Sequence, residues 1–121
     1  MRTGPTKDGT RKVILSLEKH GKKSGKRIWR DLSERVARPS RIRAKVNLYK
    51  VAKLAAKMPE KIFVVPGKLL SVGEVNSRIS VACLECSAKA RQKIEMQKGK
   101  VMSLEELLAS KPKESNLVVV Q

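Results

Sequence analysis

Apolar residues in the first half of the chain recur three and four positions apart, the spacing of helices with one buried face. A first helix is predicted to end near His20-Gly21, because glycine readily adopts the left-handed conformation that follows a helix. A second helix carries Trp29 on its buried face and ends before Pro39, and a short third helix covers residues 49–57. Basic and apolar residues alternate over residues 41–47, which predicts an extended segment with one packed face and one cationic face.

Apolar runs in the second half are short and bounded by turn residues. Residues 62–65 predict a buried strand that stops at a turn, Pro66-Gly67, with a separate short strand beginning at Leu69. Residues 79–84 predict another strand. Strands that alternate with short helices are typical of a mixed α/β fold.

The remaining elements follow from capping residues and from apolar content near the end of the chain. Ser87 is predicted to cap a helix that runs to about Lys98, with Met96 facing inward and Gly99 terminating it. Ser103 to Glu106 is a near capping box that opens a last helix. Residues 117–120 are too apolar to stay in water, so we expect them to pair or dock against the rest of the chain.

We expect a single domain over residues 1–121, because a chain of roughly 100–200 residues usually builds one core. Within it, residues 1–58 are predicted to form a basic, mainly helical half that binds nucleic acid. Residues 59–111 are predicted to form an α/β core, and residues 112–121 an extended C-terminal tail.

The charge of the chain is strongly positive and unevenly distributed. Its 28 Lys and Arg against 11 Asp and Glu give a formal net charge of +17, and residues 1–60 hold 18 of the basic side chains. A compact chain of this size repels itself unless a polyanion neutralises the charge. We therefore expect a nucleic acid partner, with most of the contact surface in the first half.

Arginine is common between residues 27 and 43, and its rigid fork grips phosphate in two places, which suits a fixed, structured RNA. Lysines near residue 22 act as mobile point charges, and those of the third helix recur along one outer stripe. The predicted RNA contacts are Lys22, Lys23, Lys26, Arg27, Arg30, Arg38, Arg41, Arg43, Lys45, Tyr49, Lys50, Lys53, Lys57 and Lys68.

Aromatic side chains are scarce, with Trp29, Tyr49 and Phe63 as the whole set. This argues against a single-strand binder with several stacking platforms and against an RRM-type sheet. Trp29 is predicted to pack in the core, with base stacking as the alternative. For Tyr49 two interpretations stay open: packing in the core, or contact with RNA by stacking on a base or bonding a phosphate.

Candidate chemistry is limited to Cys83-Leu84-Glu85-Cys86 and Pro66-Gly67-Lys68. A zinc site needs four ligands, and a thioredoxin-like role is the next alternative, but buried thiols are commonly inert, so we expect packing. The proline turn lacks the glycine-rich spacing of a phosphate-binding loop and at most presents Lys68 to a phosphate. We expect no catalytic residue, no metal and no cofactor.

Targeting signals are also missing from the sequence. No apolar run reaches the roughly 18 residues of a membrane-spanning helix, and the N-terminus lacks a secretory apolar stretch. With two cysteines and no such signal, we expect a cytoplasmic protein without a membrane partner.

Four blocks form an ordered series along the second half: residues 61–70, 79–82, 87–90 and 99–107. Through them the chain resembles the eL-eighteen family of large-subunit ribosomal proteins of archaea and eukaryotes, which is related to the bacterial L-fifteen family. Residues 28–30 and 40–47 are similar to the family's first half, so the resemblance covers nearly the whole chain. The short N-terminus resembles the compact archaeal form.

The resemblance implies a core of irregular strand-strand-helix turns and a basic helical part laid on large-subunit ribosomal RNA. It implies a structural and assembly role without catalysis, next to neighbouring large-subunit ribosomal proteins, with no small-molecule substrate and no homo-oligomer. By position, RNA contacts would include Arg27, Arg30, Arg38, Arg41, Arg43, Lys45 and Lys68. Cys83 and Cys86 depart from the family pattern, which supports the inert interpretation.

Two other classes remain open. A chromatin-type DNA-binding protein fits the charge, although no minor-groove arm or dimer helix is evident. A small redox protein would use Cys83 and Cys86.

Overall fold

Helices and strands are interspersed along the chain, which confirms the predicted mixed α/β class. The computed structural model describes residues 8–38, 42–110 and 116–120. Within these ranges the helices are α1 (Asp8–Ser24), α2 (Arg27–Val36), α3 (Leu48–Lys57), α4 (Ala88–Met96) and α5 (Leu104–Ala109). The strands are β1 (Ala44–Asn47), β2 (Ile62–Leu70), β3 (Ser80–Cys86), β4 (Lys100–Ser103) and β5 (Leu117–Val119).

The strands form one parallel sheet in the order β1-β2-β3-β4. The long strand β2 is central, because β3 pairs along one of its sides while two short strands share the other. On that shared side β5 pairs with residues 62–64 and β1 pairs with residues 67–70. The apolar C-terminal segment therefore pairs as predicted.

Each side of the sheet is covered by helices. Successive residues of β2 point to opposite faces of the sheet, so their packing partners show which helices lie on which side. Phe63 and Val65 pack in one apolar cluster with residues of α3 and α4. Val64 packs in a second cluster with residues of α1, α2 and α5. The first half of the chain contributes to both helix layers and to the sheet.

The predicted turn at Pro66-Gly67 is wrong, and so is the separate strand at Leu69. Strand β2 continues through both residues, and its pairing with β3 shifts register between Val65 and Lys68. Proline is tolerated at such an irregularity because fewer ladder hydrogen bonds need its missing N–H. Gly67 lies opposite Ala44, where a Cβ atom would overlap the Ala44 carbonyl oxygen.

The predicted end of α1 near His20-Gly21 is also wrong, because the helix continues to Ser24. Gly21 lies inside the helix beside Trp29, and the ring of His20 meets the Trp29 ring edge-on, with 4.6 Å between centroids. The left-handed residue that follows the helix is instead Gly25, with φ of 72°.

Among the other local predictions, the two helix caps are confirmed, the extended segment is shorter than predicted, and one side-chain orientation is wrong. Ser87 caps α4 by accepting a hydrogen bond from the Ala90 amide, and Ser103 with Glu106 forms the full capping box of α5. The cationic segment is extended only over residues 44–47, with Val46 buried and Ile42 exposed. The inward orientation of Met96 is wrong, since 79% of its surface is exposed.

The end of α4 differs from the prediction in one detail that affects stability. Lys98, not Gly99, takes the left-handed conformation, with φ of 61°. Its amide donates to the Glu95 carbonyl, and the Gly99 amide donates to that of Ile94. A Cβ atom on Gly99 would lie 2.5 Å from the Ile79 carbonyl oxygen, so close packing explains this glycine.

Replacing Lys98 with glycine is therefore expected to raise the free energy of unfolding by about 0.5–1 kcal/mol, because a side chain at positive φ is strained. Urea unfolding of the two proteins measures the difference. Lys98→Ala, which keeps the strained Cβ, serves as the control and should not show this gain. A Lys98→Gly protein no more stable than the alanine variant would contradict this account of the helix end.

Candidate RNA-binding surface

The junction of α1 and α2 carries the densest group of predicted contacts. We define the junction surface as Lys22, Lys23, Lys26, Arg27 and Arg30, all of them exposed. The two helices pack against each other, and Trp29, Leu32 and Val36 of α2 are fully buried. Trp29 is therefore a core residue, as predicted, and the basic residues around it point away from the core.

The charges at this junction are arranged differently at the two helix ends. Lys22 and Lys23 lie in the last turn of α1, where the helix dipole favours cations. Arg27 and Arg30 lie at the start of α2, where the dipole disfavours them, and the first turn holds no acidic residue. Lys26 precedes that turn without a capping hydrogen bond from its side chain. At the start of α2, backbone amides and basic side chains thus add to one positive potential that suits a phosphate.

A cavity of about 870 Å³ opens between the two helices at this junction. Its lining includes four of the junction residues, Lys22, Lys26, Arg27 and Arg30. Three acidic side chains line it too: Glu18, Asp31 and Glu34. The lining is therefore mixed in charge, and the basic part of it lies toward the start of α2.

Four further predicted contacts lie beyond the end of α2. We define the strand-end surface as Arg38, Arg43, Lys45 and Lys68. Nη2 of Arg43 donates to the Arg38 carbonyl oxygen at 3.0 Å, which joins the two ends of this segment. Arg41, the other predicted contact here, lies outside the described residues.

Lys45 and Lys68 are brought together by the sheet. They are register partners on β1 and β2, and both are exposed. Two like charges side by side on neighbouring strands disfavour each other. On its other side Lys68 has Glu85 of β3 as register partner. Lys68 is thus presented by a strand rather than by the predicted turn.

A third group of predicted contacts lies on the side of the sheet opposite the junction surface. We define the α3 surface as Tyr49, Lys50, Lys53 and Lys57, all exposed, on a helix without any acidic residue. Leu48, Val51 and Ala55 form the buried side of the same helix. Tyr49 is 57% exposed, whereas Trp29 and Phe63 are fully buried.

The loop after β2 fixes the start of α3. The Tyr49 amide donates to the Val72 carbonyl oxygen at 3.0 Å. Lys93 of α4 holds the same loop, because its Nζ atom donates to the carbonyl oxygens of Ser71 and Gly73 at 2.8 Å each. The ammonium group of Lys93 is thus used to hold the loop, while the backbone of Tyr49 is held in place with its side chain exposed.

Sequence analysis did not single out the basic residues of α4. Lys89 and Arg91 are exposed on this helix, which covers the same side of the sheet as α3. The signal that could have found them was the run of basic residues after the Ser87 cap, without an acidic residue in the first turn.

Cys83 and Cys86 do not have the features of a reactive thiol pair. Cys83 is buried, and desolvation raises its pKa to about 12, with the proximity of Cys86 adding to the shift. Desolvation also raises the pKa of Cys86. Thiol reactivity depends on the thiolate, so these shifts favour inert packing over redox chemistry.

The raised pKa of Cys83 predicts a loss of stability in alkali. The thiol ionises near pH 9 when unfolded and near 12 when folded, so above pH 9 the unfolded chain loses its proton first. Between pH 8 and about 10.5 the wild type should lose roughly 1–2 kcal/mol more unfolding free energy than Cys83→Ala. Urea unfolding at both pH values measures this, and equal losses in the two proteins would contradict it.

Within the part of the chain that the structure describes, other chemistry is sparse. No group of three or more His, Cys, Asp or Glu side chains is arranged to hold a metal ion. Over the same residues, none of the helices is both long and apolar enough to cross a membrane.

Comparison with known proteins gives a consistent set of relatives. No protein-family model matches the chain. Large ribosomal subunit protein eL18 of Methanopyrus kandleri is 37% identical over 122 residues, covering 98% of this chain and 96% of the relative. The protein of the same name from Pyrobaculum aerophilum is 36% identical over 118 residues, covering 98% of this chain and 95% of the relative. That of Archaeoglobus fulgidus is 41% identical over 90 residues, covering 74% and 75%.

Identity at this level over nearly the full length of both chains, rather than over one motif, confirms the resemblance that the sequence blocks indicated. The chain belongs to the eL18 family of large ribosomal subunit proteins.

Proposed function

We propose that this protein is a structural constituent of the large ribosomal subunit and binds its ribosomal RNA. The observation that carries the proposal is the match, over almost the whole chain, to proteins named large ribosomal subunit protein eL18. The net charge of +17 supports it, because such a charge on 121 residues calls for a polyanionic partner.

The mechanism we propose is neutralisation of RNA phosphates by a rigid protein. The buried faces of α1 and α2 anchor the junction surface to the sheet, so the backbone that carries its cations is held in place. Arg27 and Arg30 would grip phosphates through their planar forks, and the first backbone amides of α2 would add to the attraction. Such contacts position the protein and carry little sequence information, so recognition would come from the folded shape of the RNA.

The role is structural rather than catalytic, in keeping with the ribosomal names of the relatives. Cys83 and Cys86 are assigned to packing, because desolvation raises the pKa of both thiols. Neighbouring ribosomal proteins are further proposed partners. The protein acts as a single copy without a bound small molecule, and it works in cytoplasmic ribosomes.

The rival assignment, a chromatin-type DNA-binding protein, shares the charge but not the relatives. A binding competition separates the two. The purified protein is offered deproteinised large-subunit RNA, small-subunit RNA and double-stranded DNA, with the salt concentration raised in steps. We expect retention on large-subunit RNA at salt concentrations that release the other two, because purely electrostatic contacts weaken steeply with salt. Equal or tighter retention on DNA would refute the ribosomal assignment.

A further inference from the structure

The basic surfaces of this protein lie on two opposite sides of its sheet. The junction surface belongs to the helix layer that packs on Val64 and Ala82. The α3 surface belongs to the layer that packs on Phe63 and Val65. Since neighbouring residues of β2 point to opposite faces of the sheet, the outer sides of these two layers point in opposite directions.

The α3 surface has features of its own that suit RNA. Lys50, Lys53 and Lys57 lie on the side of the helix opposite its buried residues, and they form one cationic stripe that can follow a phosphate backbone. Lysines three and four residues apart disfavour each other in a free helix, by about 0.2–0.5 kcal/mol per pair, and a polyanion offsets that cost.

Tyr49 extends this surface at the start of the helix. It stands four residues before Lys53, so its ring and that ammonium group share one side of α3. The Tyr49 amide donates to the carbonyl oxygen of Val72, a residue whose surface is 61% exposed. An exposed aromatic next to a row of cations offers both a stacking surface for a base and counter-charges for the adjoining phosphates.

One straight RNA helix cannot occupy both surfaces. Two helix layers, each about 10–12 Å thick, and the sheet between them separate the junction surface from the α3 surface. Acidic residues also interrupt the charge within the layer of the junction surface, where α5 holds Glu105 and Glu106 and no basic residue. A short duplex is too stiff to bend around the remaining edge.

We infer that the protein bridges two separate RNA segments, one held by the junction surface and the other by the α3 surface. This inference rests on the proposed function and adds to it a division of labour between two sides of the fold. The protein then acts as a tie between RNA elements that would otherwise repel each other, and each side contributes its own phosphate contacts.

The test uses two RNA duplexes of about 16 base pairs, a length that a compact domain can span on one side. One duplex carries a donor dye and the other an acceptor dye, and energy transfer reports their joining by the full-length protein. The test variant is Lys50→Gln, Lys53→Gln and Lys57→Gln together. The matched control neutralises three exposed cations near the amino ends of β3 and β4: Arg78→Gln, Lys98→Gln and Lys100→Gln.

We expect energy transfer with the wild type and the control, and a reduction of about tenfold or more with the α3 variant. Binding of a single duplex by the α3 variant should stay within about threefold of wild type, because the junction surface is intact. If the α3 variant joins two duplexes as well as the control does, or if the wild type binds one duplex and never a second, the bridging inference is wrong while RNA binding stands. If the wild type binds neither duplex nor ribosomal RNA, the proposed function itself fails.

Discussion

Replacing Gly67 with alanine is expected to remove at least about 3 kcal/mol of unfolding free energy, the upper end of what overpacking costs. The added Cβ atom would overlap the Ala44 carbonyl oxygen and lie 2.8 Å from its carbon, and both belong to backbone that cannot rotate away. Strand β1 would have to separate from β2 over the residues that pair there. Because small domains are stable by only about 5–15 kcal/mol, much of the protein should unfold under mild denaturant.

Gly21→Ala provides a matched control for this prediction. It adds the same methyl group inside α1, where the nearest atom, Cβ of Trp29, lies at an ordinary 3.4 Å. Alanine favours a helix interior over glycine by roughly 1 kcal/mol, so this variant should be as stable as wild type or more stable. Urea unfolding followed by circular dichroism measures both proteins. A Gly67→Ala protein with wild-type stability would contradict the close pairing of β1 with β2.

Neutralising the start of α2 is expected to change RNA binding and stability in opposite directions. The variant Lys26→Gln, Arg27→Gln and Arg30→Gln should bind large-subunit RNA on the order of 100-fold more weakly. Its salt dependence should fall by about 0.7–0.9 for each phosphate that the protein no longer neutralises. The same changes remove cations from a helix N-terminus that lacks an acidic residue. Unfolding free energy should therefore rise by about 0.5–1 kcal/mol.

The control for this variant keeps the charge and changes only its shape. Arg27→Lys with Arg30→Lys retains both cations but loses the planar fork, so it should lose affinity by a smaller factor, roughly severalfold. Filter binding at several salt concentrations, alongside urea unfolding, gives both readouts. RNA affinity of the glutamine variant equal to that of wild type would show that the junction surface does not bind RNA.

Local sequence signals predicted local structure well where one residue type decides the outcome. The capping box at Ser103 and Glu106 formed as the spacing indicated, and Ser87 caps α4. These predictions held because a cap depends on residues three positions apart and on little else. The buried position of Trp29 followed equally directly from its place beside an apolar helical stripe.

The glycine and proline signals misled where tertiary contacts outweighed them. Gly21 would end a helix in isolation, but here it packs beside Trp29 inside a helix that continues to Ser24. Pro66-Gly67 has the sequence of a turn, yet the strand continues because a register shift accommodates the proline and β1 packs against the glycine. Both errors arose from packing against another element, α2 for Gly21 and β1 for Gly67, which a local pattern does not contain.

The candidate surface likewise has features that local sequence predicts and features that only tertiary contacts determine. Composition and spacing identified residues that the structure describes as exposed, including the lysines of α3 and the arginines at the start of α2. The register partnership of Lys45 with Lys68 depends on how β1 pairs with β2, so only the fold reveals it. The placement of α2 and α3 on opposite sides of the sheet is likewise seen only in the fold, because it depends on which face of β2 each helix packs against, and the bridging inference depends on it.

Quantifying this chain in large ribosomal subunits tests the central claim most directly. Subunits are purified from the source cells, washed in high salt to strip loosely bound basic proteins, and analysed by quantitative mass spectrometry against established subunit proteins. The account predicts retention at about one copy per large subunit and none on the small subunit, since a fixed set of phosphate contacts on folded RNA resists salt better than non-specific coating. Loss of the chain from washed large subunits, with its recovery in the DNA-bound fraction, would contradict the account.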